Sequence, residues 1–292
     1  MASQPRKLFQ LTRREFLRLG LFAGASGILG AAGSAAYGFG LEPGWIDVSR
    51  LTLALPRLPA VFEGLRLAHL TDLHLDDWMT DDRLASIVDL TNREAPDAVL
   101  LTGDYITGIR DIATRLPALT EQLARLNPPL GVFAVLGNHD HWTDARAVRG
   151  ALESAGVLEL RNRAHRLGRA GQALYVCGVD DYWERYADLD RVMGGLPDAA
   201  CAILLSHEPD FADISAATGR FDLQLSGHSH GGQVALPFVG PLILPTYAEK
   251  YPSGLYQVGR MWQYTSRGLG MVEPRVRFNC RPELALLTLT HS

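Results

Sequence analysis

Residues 221–232 read FDLQLSGHSHGG. Phe221, Leu223 and Leu225 alternate with polar residues, the period-two pattern of a strand. The strand runs into a loop that holds His228 and His230 on either side of Ser229. Alternate positions of an extended chain point the same way, so both imidazoles can face one target while Ser229 turns aside. Gly231 and Gly232 then let the backbone turn sharply without a side chain crowding the loop. Taken alone, the pair fits a polar loop as well as it fits a metal site.

Four other stretches repeat the arrangement, each an apolar run followed by a polar cluster. LRLAHLT (65–71) leads to Asp72 and His74, and DAVLLT (97–102) to Gly103 and Asp104. GVFAVL (131–136) leads to Gly137, Asn138, His139 and Asp140, and CAILLS (201–206) to His207. Each fragment alone reads equally as a turn or a cap. Together they hold five of the nine histidines, a concentration that scattered structural histidines would not produce. Between the runs lie helix-like segments: 81–94 with Asp81 or Asp82 at its start, 113–127 closed by Pro128 and Pro129, and 144–156. Alternating strands and helices predict an α/β domain. In such sheets ligands bind outside the carboxyl ends of the strands, so five polar strand ends converge on one crevice. Late strands at 254–270 and 282–290 predict a closing second sheet packed on the first.

The ordered set DLH (72–74), GD (103–104), GNHD (137–140), SHEP (206–209) and GHSHGG (227–232) resembles the calcineurin-like metallophosphoesterases. The resemblance spans residues 66 to 290. PFVGPLILP (237–245), SRGLG (266–270) and FNCRPELALLTL (278–289) look most like the YaeI/YkuE-type phosphodiesterase branch. The resemblance implies a four-layer αββα sandwich of two packed mixed sheets flanked by helices. It also implies a site for two divalent ions, Mn, Fe, Zn or Co. One would take Asp72, His74 and His230, the other Asn138, His207 and His228, and Asp104 would bridge them. By the same resemblance a metal-bridging hydroxide attacks the ester, His139 faces the substrate as the acid, and Asp140 orients its ring. Imidazole, carboxylate and amide ligands suit these metals better than Ca or Mg. Two departures from the family pattern, GNHD for GNHE and YITG after GD, remove no ligand.

Other residues carry two readings each. Asp180 and Asp181 end the strand ALYVCGV, so Asp181 is either a substrate contact or a turn residue. Arg267 is a candidate phosphate ligand or a surface arginine. His141 is a loop residue or a substrate contact, and His69, inside an apolar run, a core histidine. The stretch 237–245 is a packed loop or a surface that meets lipid.

Composition bounds the remainder. The 292 residues are 47% hydrophobic and 21% charged, an ordinary globular profile. A net charge of −4 shows no nucleic-acid-binding surface. Three cysteines without C-x-x-C spacing argue against a thiolate zinc site or a disulfide framework. The N-terminus reads as an address. TRREFLRLG (12–20), with Arg13 and Arg14 paired, resembles a twin-arginine (Tat) export signal. No charge occurs from Leu19 to Leu41, which also fits a membrane anchor; small residues 34–36 offer a cleavage site before Tyr37. Positive charges at Arg6, Lys7, Arg13, Arg14 and Arg18 precede the apolar stretch. By the positive-inside rule the folded domain lies outside the cytoplasm, periplasmic or anchored to the inner membrane facing outward. The expected division is a signal or anchor over 1–42, a linker and opening strand over 43–65, and the metallophosphoesterase domain over 66–292. Expected partners are the Tat export machinery, a membrane and a phosphoester, possibilities that include a lipid-linked one. The ester is a phosphodiester or phospholipid head group outside the cytoplasm, or else UDP-2,3-diacylglucosamine, which is made inside. A non-catalytic metal-binding protein on the same scaffold would show lost ligands, and none of the seven is missing.

Overall fold

The computed structural model describes residues 12–14, 21, 30–108 and 112–291. Most of the expected export signal lies outside the described residues. Among the described residues no helix is long and apolar enough to cross a membrane. In chain order the elements are β1 (Asp47–Ala54), β2 (Arg66–Leu70), α1 (Asp81–Arg93), β3 (Ala98–Thr102), α2 (Ile112–Leu123), β4 (Val132–Val135), α3 (Asn138–Ser154) and β5 (Leu158–Glu159). There follow β6 (Arg163–Arg169), β7 (Gln172–Gly178), α4 (Leu189–Gly194), β8 (Cys201–Leu205), α5 (Ala212–Ala217) and β9 (Leu223–Ser226). The chain closes through β10 (Ala235–Leu236), β11 (Gly240–Pro241), β12 (Gly254–Val258), β13 (Met261–Thr265) and β14 (Glu283–Thr290).

Two six-stranded sheets result, ordered β1-β14-β2-β3-β4-β5 and β12-β13-β9-β8-β7-β6, with β10-β11 a separate hairpin. Both sheets are mixed. The strands β2, β3 and β4 run parallel, as do β7, β8 and β9. In β3, β4 and β8 the sequences are unbroken apolar runs because both faces are buried, whereas β2 and β9 bury His69 and Gln224 within them. In β3, Ala98 and Leu100 face the second sheet, packing with Ile203, Leu205 and Leu225. Val99 and Leu101 face the other way, onto Leu84, Val88, Leu119 and Leu152 of the helices. The outer face of the second sheet is closed by Val192, Phe211 and Ala212. Helix, sheet, sheet and helix stack as the four layers expected.

Three sequence expectations change. Within 43–65 the expected opening strand is β1, paired in parallel with β14 over its whole length, and the remainder is packed where a linker was expected, with Leu55, Leu58 and Phe62 buried between the sheets. The late strands do not share one sheet. The β12–β13 hairpin extends the second sheet, whereas β14 inserts between β1 and β2 of the first. The helix expected from Asp144 begins at Asn138 and is interrupted at Asp144, whose φ of −168° and ψ of 88° are not helical. The GNHD motif is therefore a helix start, with Gly137 as its N-cap.

Candidate metal centre

The carboxyl ends of β2, β3, β4, β8 and β9 meet at the seam between the sheets. Backbone bonds lace the first two loops together: Asp72 N donates to Gly103 O at 3.0 Å and His74 N to Asp104 O at 3.0 Å. Asp72, His74, Asp104, His228 and His230 all adopt φ between 49° and 69°. Left-handed backbone at non-glycine residues is uncommon and clusters where the surroundings over-determine a conformation. The glycines beside them are required by contact. A Cβ on Gly137 would strike the Asp104 carboxylate and come within 2.8 Å of the His207 ring. One on Gly227 would overlap Thr71 and Asp72.

The side chains form two adjoining sets, Asp72–His74–His230 and Asp104–His207–His228, with His74–Asp104–His139 a third that overlaps both, each with ligand atoms within 4.8 Å of one another. In the first, His74 Nε2 lies 3.0 Å from His230 Nε2, and His230 Nε2 lies 3.3 Å from Asp72 Oδ1. In the second, His207 Nε2 lies 3.1 Å from Asp104 Oδ2. Asp104 joins the sets, since the same oxygen is 3.5 Å from His74 Nε2.

Hydrogen bonds behind the site fix which nitrogens face inward. His207 Nδ1 lies 2.6 Å from the carbonyl of Thr102, and His228 Nε2 lies 3.0 Å from that of Thr246. A carbonyl only accepts, so both of these nitrogens carry protons. The other nitrogens, His207 Nε2 and His228 Nδ1, face each other at 3.2 Å. Burial opposes charge on His207, but the Asp104 carboxylate beside it raises its pKa well above the ordinary imidazole value, so without metal a proton on Nε2 occupies the place that a cation would take between these nitrogens and Asp104. Asn138 Oδ1 is a buried acceptor with no hydrogen-bond partner, the state of an oxygen that awaits a metal.

Charge points the same way. Burial pushes His74 down to about 3 and His228 to about 4, and holds His230 well below the ordinary imidazole value; all three are neutral donors. Burial opposes charge on Asp104, yet the protonated ring of His207 and its hydrogen bond outweigh that and keep the carboxyl well below the usual range. Burial, opposed by His207 and reinforced by Asp104, pushes Asp72 up to about 7. A buried carboxylate raised by a neighbouring one, as Asp72 is by Asp104, is relieved by a cation. The residues present fit divalent metal.

The other expected residues divide. His139 lies at the site: its backbone N donates to Asp104 Oδ1 at 2.9 Å and its ring packs against His74, with centroids 4.8 Å apart. Asp140 does not orient that ring. Its fully buried carboxylate accepts from the backbone N–H of Gly137 at 3.0 Å, Asp104 at 2.9 Å and Tyr105 at 2.8 Å. It is the N3 acid of the helix reaching back to its cap, extended to clamp the loop after β3. Arg267 is not free for phosphate. Its guanidinium pairs with Asp47 at 2.7 Å and Glu283 at 3.2 Å, among the strands of the first sheet. Asp181 is buried behind the site. Burial, then Glu208, pushes it up to about 10; one oxygen accepts from Glu184 N at 2.7 Å, while Glu208 accepts from the amides of Tyr182 and Trp183. The pair holds the loop that presents Trp183 and does not line the cleft. His141 is likewise committed, to Asp180 at 2.8 Å, and His69 is a core histidine bonded to Thr102 Oγ1.

A cleft of about 370 Å³ opens over His139, Asp104 and Asn138. Sequence reasoning missed its aromatic rim. Trp142 packs on His139 with centroids 4.9 Å apart, Trp183 on His228 at 5.3 Å, and the two indoles meet edge to face at 5.5 Å. The available signal was position: Trp142 lies one helical turn after Asn138, and Trp183 follows a strand-end Asp-Asp pair.

The family model described as calcineurin-like phosphoesterase matches residues 65–232, a segment that begins just before β2 and ends after the second histidine loop. The chain belongs to the calcineurin-like phosphoesterase family. Two metallophosphoesterase relatives align over nearly its whole length. YkuE of Bacillus subtilis (strain 168) is 36% identical over 96% of this chain and 98% of its own. Phosphodiesterase YaeI of Escherichia coli (strain K12) is 31% identical over 96% of this chain and 99% of its own. Among solved structures, the Thermus thermophilus sulfate thiohydrolase SoxB superposes with a TM-score of 0.50 at 15% identity, covering 80% of this chain and 57% of that one; that likeness concerns the fold alone. Metallophosphoesterase membership makes the chain a metal-dependent hydrolase of phosphoric esters, with the two His/Asp sets as its metal-binding clusters.

Proposed function

We propose that this protein is a two-metal phosphodiesterase working outside the cytoplasm, on an ester whose second substituent is apolar. The observation that carries it is the convergence of the inward nitrogens of His207 and His228 on the shared carboxylate of Asp104. Two sites joined by one carboxylate suit an in-line displacement at phosphorus, in which both the attacking and the leaving oxygen need support. Divalent ions held by Asp72, His74 and His230 and by Asn138, His207 and His228, with Asp104 between, would polarise the phosphoryl group and lower the pKa of water.

The chain's own groups supply the rest. The oxygen of water bonds to phosphorus, the bond to the leaving oxygen breaks, and His139 delivers the proton that oxygen needs. Asp104 holds the His139 backbone in place. The cleft beyond it is walled by Leu242, Leu244, Val272 and Val276, which suits a second ester arm and excludes water. That wall favours a diester over a monoester, and a lipid phosphodiester over a polar one. The printed name of YaeI, a phosphodiesterase, supports the same reading.

Loaded with Mn, Fe, Zn or Co, the protein is expected to turn over bis-p-nitrophenyl phosphate faster than p-nitrophenyl phosphate. His139→Ala should lower kcat on the diester about 10²-fold while retaining its metals. Inactivity of the wild type with every metal would end the enzyme reading; unchanged kcat in His139→Ala would remove the acid. The location rests on the Arg13–Arg14 pair and the charge asymmetry around residues 19–41. A fused reporter that is active only after export should be active, and Arg13→Lys/Arg14→Lys should silence it. Retention of the wild-type fusion in the cytoplasm refutes the location and favours the cytoplasmic UDP-2,3-diacylglucosamine.

A further inference from the structure

We propose that the β10–β11 hairpin is a wedge that docks the protein on a lipid bilayer and delivers a membrane-resident phosphodiester into the cleft. No charged residue occurs from Val234 to Thr246. Five of the large hydrophobic side chains exposed among the described residues fall within Leu236–Ile243. Phe238, at the tip, is 110% exposed, Ile243 79% and Val239 71%. A contiguous apolar patch of this kind marks an interaction surface on a soluble domain. The tip projects from the protein, so it fits into a soft apolar medium better than against a shaped protein partner.

Two observations identify the occupant as a bilayer. The patch continues into the cleft, because Leu242 and Ile243 are exposed on one side and line the cleft on the other. The path from the hairpin to the candidate metal centre is therefore apolar, and Trp142 stands at its rim with its ring half exposed, as indoles do at lipid–water boundaries. The second observation is the position of the N-terminal segment. The carbonyl of Gly38 accepts from Arg277 N at 3.0 Å, and the next residue, Phe278, bonds through its backbone to both Gln233 and Ala235 at the hairpin base. The Tyr37 ring meets that of Phe278 edge to face at 6.1 Å. The charge-free stretch Leu19–Leu41 thus ends within one strap of the hairpin, with Phe39 and Leu41 exposed beside it. The described end of that stretch, residues 30–41, and the projecting apolar hairpin thus meet at the Arg277–Phe278 strap. Docking by two such elements is stronger than by either alone.

The delivery half of this proposal rests on the phosphodiesterase reading; the docking half does not, and the experiment separates them. The full chain carrying Phe238→Cys is labelled with nitrobenzoxadiazole, the three native cysteines being buried. It is then mixed with phosphatidylethanolamine–phosphatidylglycerol vesicles containing doxyl-labelled lipid. The label is expected to shift to the blue, to be quenched by the doxyl groups and to be shielded from iodide. A label at Ala170→Cys, in the turn between β6 and β7 at the opposite end of the second sheet, should stay accessible to iodide. Equal iodide access at both positions overturns the docking. Shielding at 238 before vesicles are added overturns it too, because a second copy or another part of this chain would then cover the hairpin. Delivery is tested with Phe238→Asp/Val239→Asp in the metal-loaded full chain. Hydrolysis of vesicle phospholipid should fall at least about tenfold while soluble bis-p-nitrophenyl phosphate changes less than about twofold, since interfacial binding scales with buried apolar area. Equal loss on both esters, or no loss on vesicles, overturns delivery. If the wild type cleaves neither ester with any metal, the phosphodiesterase reading fails, delivery falls with it, and the fluorescence alone decides the docking.

Discussion

Asp104→Asn is expected to lower kcat on bis-p-nitrophenyl phosphate about 10³-fold, the scale on which loss of one preorganised electrostatic contact acts. Asp104 is the one carboxylate that reaches both ligand sets, 3.1 Å from His207 Nε2 and 3.5 Å from His74 Nε2. Asparagine keeps its shape and removes its charge. Metal content per chain, measured by mass spectrometry after gel filtration, should fall together with activity. A variant that keeps both metals at full occupancy and retains kcat within about tenfold of wild type would refute the bridging role.

Asp140→Ala is expected to act on stability. The substitution strips the acceptor from three buried amides, those of Gly137, Asp104 and Tyr105, all bonded at 3.0 Å or less. A buried donor left unmade costs about 1–3 kcal/mol, so the total is about 3–5 kcal/mol, with some relaxation allowed. In a protein of this size that lowers Tm by about 10 °C. Scanning calorimetry on chelated protein isolates the effect from metal binding. A Tm drop under about 3 °C would show that the clamp contributes little. Asp140→Asn should not rescue, because an amide group would point its own hydrogens at one of these donors.

These two aspartates show what the linear sequence carries and what it omits. The five polar strand ends were legible because buried parallel strands leave largely apolar runs, unbroken in β3, β4 and β8 and alternating in β9, and the polar cluster after each run must lie at the sheet's edge. That logic located Asp72, His74, Asp104, Asn138, His207, His228 and His230 without any knowledge of pairing, and the structure brings them together. It could not assign Asp140, whose partners sit 35 and 36 residues away on another loop. Nor could it see that Arg267 is consumed by Asp47, 220 residues distant. The opening strand was legible as a strand, but its partner was not, because β14 is the last strand of the chain. The stretch 237–245 read either as packed or as lipid-facing, since apolar composition is the same in both states; only exposure separates them.

The two sheets contribute unequally to the ligand set. Asp72, His74, Asp104 and Asn138 hang from the first, His207, His228 and His230 from the second, and the sets mix donors across the seam. A cation bound there is a rivet through both halves of the sandwich. Binding that occurs only in the folded state adds to stability as RT ln(1 + [L]/Kd), so metal supply becomes a quality check. A chain loaded with metal would have its two halves pinned, and one deprived of it would be a looser body that proteases can open.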